Sequence, residues 1–350
     1  SYGLQYEGAA FEDGKGPSIC DTYIHKYPDR SNGDVADDFY HRYKEDVQLM
    51  NYIGITGFRF TVSWPRVLPR KMFFFYVLVK VIIIFCQISS YSSFSNQISF
   101  YSYILHVWLA AYMCNTYCNL IGRDDFRDFA ELCFKEFGDR VKHWLTFNEP
   151  WSFSVGGYDS STFGGTIAPG RCSAWLNKGC PAGDSSTEPY LVAHRIILCH
   201  ATAAKLYREK YKPSQKGQIG IVLITNWWIP YSNSKADALA AQRILDFFLG
   251  WFLDPLTFGD YPKSMRSFVG KRLPKFTEEQ KLLIKGSLDF LGLNYYTSSY
   301  VLNAPYANSV NISYSTDLQV NFTGIRNGRP IGAPVSSFIR YLDELKLSKR

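Results

Sequence analysis

Motifs that bind nucleotides, metal ions or nucleic acids are absent from this sequence of 350 residues. No glycine-rich phosphate turn follows any predicted strand, and no His and Cys residues stand at metal-ligand spacing. The net charge of +7 is spread thinly, without a run of five Lys or Arg residues, which argues against a nucleic-acid interface. No signal peptide is present, and since Ser1 does not look like a natural start, we expect the beginning of the chain to be missing.

The eight cysteines are too few for a chain of this length to define a disulfide framework. Cys172 and Cys180 are the exception, because they close a short loop rich in small residues. A bridge across this loop would suit an oxidising compartment. Two glycosylation sequons, at Asn311 and Asn321, favour the same compartment. We therefore expect the secretory pathway.

Predicted strands alternate with predicted helices along the chain, which indicates an α/β protein with a parallel sheet. The main predicted strands cover residues 55–64, 141–148, 219–228 and 288–297, and the main helices cover 35–53, 124–137, 188–211 and 236–252. Each apolar run opens into polar and aromatic residues at its carboxyl end. That layout predicts a (β/α)8 TIM barrel with its site at the top, and an open doubly wound sheet is the alternative.

Residues 141–150 form the most informative stretch, an apolar and aromatic run that ends in Asn-Glu-Pro. Such a run is typical of a buried strand, and Pro150 forces a turn directly after it. We expect the Glu149 carboxyl group to lie at the strand end, beside the Asn148 amide and beneath aromatic side chains. These surroundings favour a protonated carboxyl group, as a general acid requires. The alternative is an exposed glutamate at a turn.

Several short motifs of the sequence resemble those of glycoside hydrolase family 1, the β-glucosidase family. They are Gln5-Tyr-Glu-Gly, Phe58-Arg-Phe-Thr-Val-Ser-Trp, Thr146-Phe-Asn-Glu-Pro, Asp254-Pro with Gly259-Asp-Tyr-Pro, and Leu293-Asn-Tyr-Tyr-Thr. The stretch around Cys172 and Cys180 is most similar to the plant branch, whose members carry the closed loop. The resemblance implies retaining hydrolysis of small β-D-glucosides in one barrel domain, without a metal or an organic cofactor.

The resemblance also implies roles for individual residues. Glu149 would act first as the acid and then as the base, while Arg59 and Tyr296 would support a nucleophilic carboxylate. By their own chemistry, Arg59 could equally form a structural ion pair in the barrel, and Gln5 could be an ordinary loop amide. The resemblance assigns contacts with the sugar or its cleft to Gln5, Asn148, Trp151 and Asn294.

Residues 71–121 depart from the family pattern, because they contain neither Gly nor Pro and include an almost wholly apolar run at 72–88. We expect this segment to replace the family's third strand and its His-Trp motif, since His106 lies in Leu-His-Val-Trp. Translation of a retained intron would produce such a segment. A membrane span at 72–88 is the alternative, although Lys80 near its centre would be costly to insert.

The family's motif that contains the nucleophilic glutamate, Thr-Glu-Asn-Gly, does not occur in the sequence. We therefore expect the seventh and eighth strands to be missing, with residues 338–350 as a tail outside the family pattern. Retaining hydrolysis needs two carboxylates, so we expect little or no turnover from the chain as written. The alternatives are a sugar-binding remnant without activity, a product of a faulty gene model and, with less support, a membrane-tethered protein.

Overall fold

The computed structural model describes residues 6–26, 32–55, 58–67, 123–159, 168–180, 182–306 and 310–332, together with the backbone of residues 104–106. Gln5, the apolar run at 72–88 and the tail at 338–350 lie outside the described residues. Nothing in the structure therefore bears on the predictions made for them.

Six strands form one sheet, in the same order along the chain and across the sheet. They are β1 (Arg59–Thr61), β2 (Ile104–His106), β3 (His143–Asn148), β4 (Gln218–Pro230), β5 (Phe290–Asn303) and β6 (Val320–Thr323). The first five strands are parallel, while β6 runs antiparallel to β5. A small hairpin of β7 (Ile325–Arg326) and β8 (Arg329–Pro330) follows. The predicted parallel sheet is thus confirmed, and within the described residues it does not close into a barrel.

Strand β2 corrects one expectation, because it lies inside the segment predicted to lack the third strand. Its backbone pairs with β1 on one side and with β3 on the other, with Ile104 opposite both Arg59 and His143. The sheet is therefore continuous at this position. The composition of residues 71–121 gave no sign of a strand that is only three residues long.

Twelve α-helices connect or flank the described strands. They are α1 (Ile19–Ile24), α2 (Phe39–Tyr52), α3 (Trp64–Val67), α4 (Arg123–Phe137), α5 (Pro150–Tyr158), α6 (Glu188–Leu206), α7 (Lys212–Gln215), α8 (Lys235–Leu245), α9 (Trp251–Phe258), α10 (Lys263–Val269), α11 (Glu278–Ile284) and α12 (Tyr314–Asp317). Helix α6 runs into α7 through a π-helical turn at Tyr207–Tyr211, and α8 runs into α9 through another at Asp246–Gly250. In the part of the chain that the structure covers, no helix is long and apolar enough to cross a membrane.

Helix α2 starts four residues later than its predicted start at residue 35. Ala36 and Asp38 adopt left-handed backbone angles, with φ of 49° and 56°, and these angles interrupt a right-handed helix. Asp38 stands at the N-cap, and its side chain makes no capping hydrogen bond. Neither residue is a glycine, so the sequence carried no signal for this turn.

Aromatic side chains fill the core between the sheet and its helices. Helix α4 buries one face, as its periodicity predicts, with Phe126 stacked on Phe147 of β3 and Phe134 against Trp144 of the same strand. The ring centroids lie 4.6 Å and 5.0 Å apart. These contacts pack β3 against α4 as far as Phe147, two residues before Glu149.

Candidate active site

The end of β3 places Glu149 at the carboxyl edge of the sheet. Its backbone N–H donates to the Val222 carbonyl of β4 at 2.8 Å, and its φ of 49° and ψ of 56° turn the chain out of the strand. Helix α5 begins at Pro150, where the missing N–H of proline costs no helical hydrogen bond. The Glu149 side chain is buried, with a relative exposure of 5%. The expectation of a carboxyl group at a strand end is confirmed.

Three hydrogen-bond donors hold the Glu149 carboxylate. Asn294 Nδ2 and the Tyr296 hydroxyl donate to Oε1 at 2.5 Å and 3.0 Å, and the Ser152 hydroxyl donates to Oε2 at 3.0 Å. Asn294 and Tyr296 come from β5, whereas Ser152 lies in the first turn of α5. Ser152 was not predicted from the sequence, although its place three residues after Glu149 fits one turn of a helix.

The Asn148 side chain joins Arg59 to Asn294, which in turn donates to Glu149. Its Oδ1 accepts hydrogen bonds from Arg59 Nη2 at 2.8 Å and from Asn294 Nδ2 at 3.2 Å. Burial lowers the pKa of Arg59, and the nearby Glu149 carboxylate acts in the opposite direction. The structure therefore brings together residues from β1, β3 and β5 that are far apart in the sequence.

Tyr296 is a hydrogen-bond donor whose hydroxyl resists ionisation. Burial of its hydroxyl end, followed by the charge and hydrogen bond of Glu149, raises the pKa of Tyr296. The residue as a whole is 68% exposed. At neutral pH the hydroxyl keeps its proton and can steady a negative charge.

Trp151 does not line the open cleft. It is 5% exposed, its ring stacks on Phe248 with centroids 3.9 Å apart, and its Nε1 donates to the Tyr314 hydroxyl at 2.7 Å. The first turn of α5 directs this side chain into the core, away from the group around Glu149. The sequence shows its place next to the glutamate, but not its direction on the helix.

The loop predicted to be closed by cysteines is closed. Cys172 and Cys180 form a disulfide with their Cα atoms 5.5 Å apart. Near this loop, Arg171 binds Glu188 at the start of α6 through two hydrogen bonds. The loop is thus joined to the helix that packs behind β3 and β4.

The sequence of the chain matches the model of one protein family. The model of glycosyl hydrolase family 1 matches residues 1–73 and 112–330 of the chain. The chain belongs to glycosyl hydrolase family 1. The match resumes at residue 112, so it leaves residues 74–111 and 331–350 outside the family 1 pattern.

Relatives of known name support the same family. The chain is 51% identical over 344 residues to a cyanogenic β-glucosidase of Trifolium repens, covering 96% of this chain and 80% of that protein. It is 52% identical over 339 residues to furcatin hydrolase of Viburnum furcatum, covering 95% of this chain but 61% of that protein. The chain thus spans about three fifths to four fifths of the lengths of these family 1 relatives.

Solved structures of family 1 enzymes share the fold. A rice β-glucosidase matches with a TM-score of 0.86 and 42% identity, over 95% of this chain and 70% of that chain. A β-glucosidase from the fungus Humicola insolens, solved in complex with glucose, matches with a TM-score of 0.84 and 34% identity, over 95% and 70%. The fold is accordingly similar to a TIM barrel, and by family the chain is a glycosidase.

Proposed function

We propose that the chain carries the acid/base half of a β-glucosidase site for retaining hydrolysis of small β-D-glucosides. The observation that carries the proposal is the buried Glu149 carboxyl group, fixed by three hydrogen bonds at a strand end. Proton transfer to a glycosidic oxygen needs a carboxyl group in one defined position, and such positioning is what the three hydrogen bonds provide. The names of the relatives supply the substrate class.

The residues around Glu149 would have separate roles in the reaction. Glu149 would protonate the departing oxygen and then take a proton from the attacking water. Because Arg59 and Asn294 engage the Asn148 amide oxygen, the NH2 end of Asn148 would donate to the sugar 2-hydroxyl. Arg59 and Tyr296 would stabilise negative charge on a second carboxylate placed opposite Glu149. Gln5 would hold outer hydroxyls of the sugar.

A second carboxylate is needed for the retaining mechanism, about 5–5.5 Å from the first. In the described part of the chain, the hydrogen bonds to Glu149 come from two uncharged β5 side chains and one serine, and no Asp or Glu joins them. We therefore expect the 350-residue chain to release p-nitrophenol from a p-nitrophenyl β-D-glucoside slowly or not at all. Added azide should raise the rate, because a small anion can attack the sugar carbon that a nucleophilic carboxylate would attack.

Variants at Glu149 test the acid role in this azide-dependent reaction. We expect Glu149→Gln to abolish release from the p-nitrophenyl glucoside but to spare release from the 2,4-dinitrophenyl glucoside, whose leaving group needs no protonation. A matched control is Glu136→Gln, the last residue but one of α4 and not among the residues that contact Glu149. An equal loss with both glucosides would contradict the acid role, and fast turnover without azide would contradict the missing nucleophile.

A sugar-binding protein without turnover is the second candidate, favoured by the single carboxylate in the described site. Calorimetric titration with D-glucose distinguishes it from an inert chain. Binding that weakens in Asn148→Ala, without azide-dependent release, would favour the binding role. The absence of both binding and release would contradict both candidates.

We also propose that the protein folds in the secretory pathway. The disulfide between Cys172 and Cys180 supports this compartment, because such bonds persist where conditions are oxidising. The sequons at Asn311 and Asn321 agree with it. Expression as a fusion to a fluorescent protein, with a secretory leader of known function in one version, would show whether only the exported form acquires the disulfide.

A further inference from the structure

The two glycosylation sequons of the sequence lie in different surroundings in the fold. The first, Asn311-Ile-Ser, directly precedes helix α12, whereas the second, Asn321-Phe-Thr, lies within strand β6. N-linked glycosylation attaches a bulky, hydrated glycan to the side-chain amide of the asparagine. A folded protein can accommodate that glycan only where the amide reaches solvent. The structure therefore distinguishes two sequons that the sequence alone treats as equivalent.

The alternation of β6 presents Asn321 to solvent. Phe322 packs on the core side of the strand, where its ring lies edge-on to Trp228 with the centroids 5.6 Å apart. Because successive residues of a strand point to opposite faces, Asn321 points away from the core. Its side chain is exposed, and Thr323, the third residue of the sequon, lies on the same outer face. The amide of this sequon is therefore accessible in the folded chain.

The position of β6 leaves room for a glycan. In the described part of the chain β6 is the last strand of the sheet, and it pairs with β5 on one side. Asn321 lies opposite Leu302 of β5 in the antiparallel register, and Leu302 is half-buried. A glycan on Asn321 would extend over this outer face and over the edge of the strand. Exposed strand edges pair readily with other chains, so such a glycan would also hinder association at this edge.

The first sequon runs directly into the core. Asn311 is half-buried, and its backbone carbonyl accepts a hydrogen bond from the Tyr306 hydroxyl at 2.8 Å. Ser313, the third residue of this sequon, is fully buried as the N-cap of α12. Tyr314 follows it into the core and stacks on Trp251 with the ring centroids 5.2 Å apart. A glycan on Asn311 would therefore oppose the docking of α12.

We propose that Asn321 is the N-glycosylation site of the folded protein and that Asn311 remains unmodified. This assignment rests on the proposed folding in the secretory pathway, where N-linked glycans are attached. The exposed amide on the outer face of β6 favours Asn321, and the buried hydroxyl of Ser313 argues against Asn311.

Mass spectrometry of the exported protein tests the assignment. The 350-residue chain is expressed in yeast behind a secretory leader of known function, so that its export does not depend on its own targeting. Digestion with peptide N-glycosidase F in heavy-oxygen water converts a glycosylated asparagine into labelled aspartate. We expect the label at position 321 and none at position 311. A label at 311 in the soluble protein would overturn the assignment, as would the absence of label at 321.

The disulfide between Cys172 and Cys180 separates this result from the proposed compartment. It is measured in the same sample by peptide mapping without reduction. A bridged protein without label at 321 would contradict the glycosylation site alone. An exported protein that carries the label but lacks the bridge would support the site and contradict the compartment proposed from the bridge.

A matched set of variants gives an independent measurement. Asn321→Gln should lose the whole shift in electrophoretic mobility that peptide N-glycosidase F produces in the wild type, whereas Asn311→Gln should keep it. Thr323→Val should lose the same shift with Asn321 still present, because it removes the hydroxyl of the sequon and keeps a side chain suited to a strand. A shift retained in Asn321→Gln, or lost in Asn311→Gln, would refute the proposal.

Discussion

His200 should make the protein sensitive to acid. The residue lies in α6 behind β3, is fully buried, and has its Nδ1 2.6 Å from the Thr146 hydroxyl oxygen. Burial lowers the pKa of His200 from 6.5 to about 4. The unfolded chain therefore takes up a proton as the pH falls below 6.5, while the folded protein resists it until about pH 4. The stability that depends on neutral His200 is present above pH 6.5 and is lost on acidification.

The size of this effect follows from the two pKa values. Between pH 7 and pH 5, linkage gives a loss of about 2 kcal/mol of unfolding free energy from this one histidine. Urea unfolding of the wild type and of His200→Asn at both pH values measures it. We expect the variant to be less stable at pH 7 but to lose about 2 kcal/mol less than the wild type on going to pH 5. His194, whose pKa burial also lowers to about 4, is present in both proteins and cancels in the comparison.

An exposed histidine provides the control. The hydrogen bond with Asp38 raises the pKa of His41, so its contribution has the opposite sign: it is present at low pH and lost as the pH rises. His41→Asn should therefore lose at least as much stability as the wild type on acidification. If His200→Asn and the wild type lost the same free energy between pH 7 and pH 5, the reasoning about burial would be wrong.

Three further variants test packing and bonds described above. Trp151→Phe should lower the free energy of unfolding by about 2 kcal/mol, measured by urea unfolding, because it removes a buried hydrogen bond and part of a stacked ring without reaching the sugar site; a loss of glucose binding with unchanged stability would contradict its place in the core. Replacing both Cys172 and Cys180 with Ser should cost about 2–3 kcal/mol under oxidising conditions and nothing after reduction, since the bond closes a loop with a separation of 8 residues. Arg272→Met should cost about 3 kcal/mol and lower the melting temperature, because it leaves the buried Asp317 carboxylate without its ion pair; an unchanged melting temperature would show that this pair is not needed.

The sequence predicted those residues of the site that lie in recognisable motifs. Asn148 and Glu149 lie at the end of a strand that was predicted from its apolar run. Asn294 and Tyr296 lie in a second strand predicted in the same way. Ser152 was missed because one hydroxyl near a carboxylate is common in any helix. The way these residues meet depends on the register between β4 and β5, and a single sequence does not contain that register.

The errors have physical causes of the same kind. Whether Trp151 enters the core or the cleft depends on the rotation of one helical turn, and an aromatic side chain suits either place. The late start of α2 depends on left-handed angles at Ala36 and Asp38, two residues that rarely adopt them. Strand β2 is three residues long, and so short a run has no periodicity to detect.

The backbone of Glu149 is left-handed, a conformation that strains any residue that has a side chain. A side chain at φ of 49° costs roughly 1 kcal/mol that glycine would not incur. Glu149→Gly would therefore relax the backbone, but it would also leave Asn294, Tyr296 and Ser152 without their shared hydrogen-bond acceptor. Because alanine would keep the backbone strain and would lack the same acceptor, Glu149→Ala should melt at a lower temperature than Glu149→Gly.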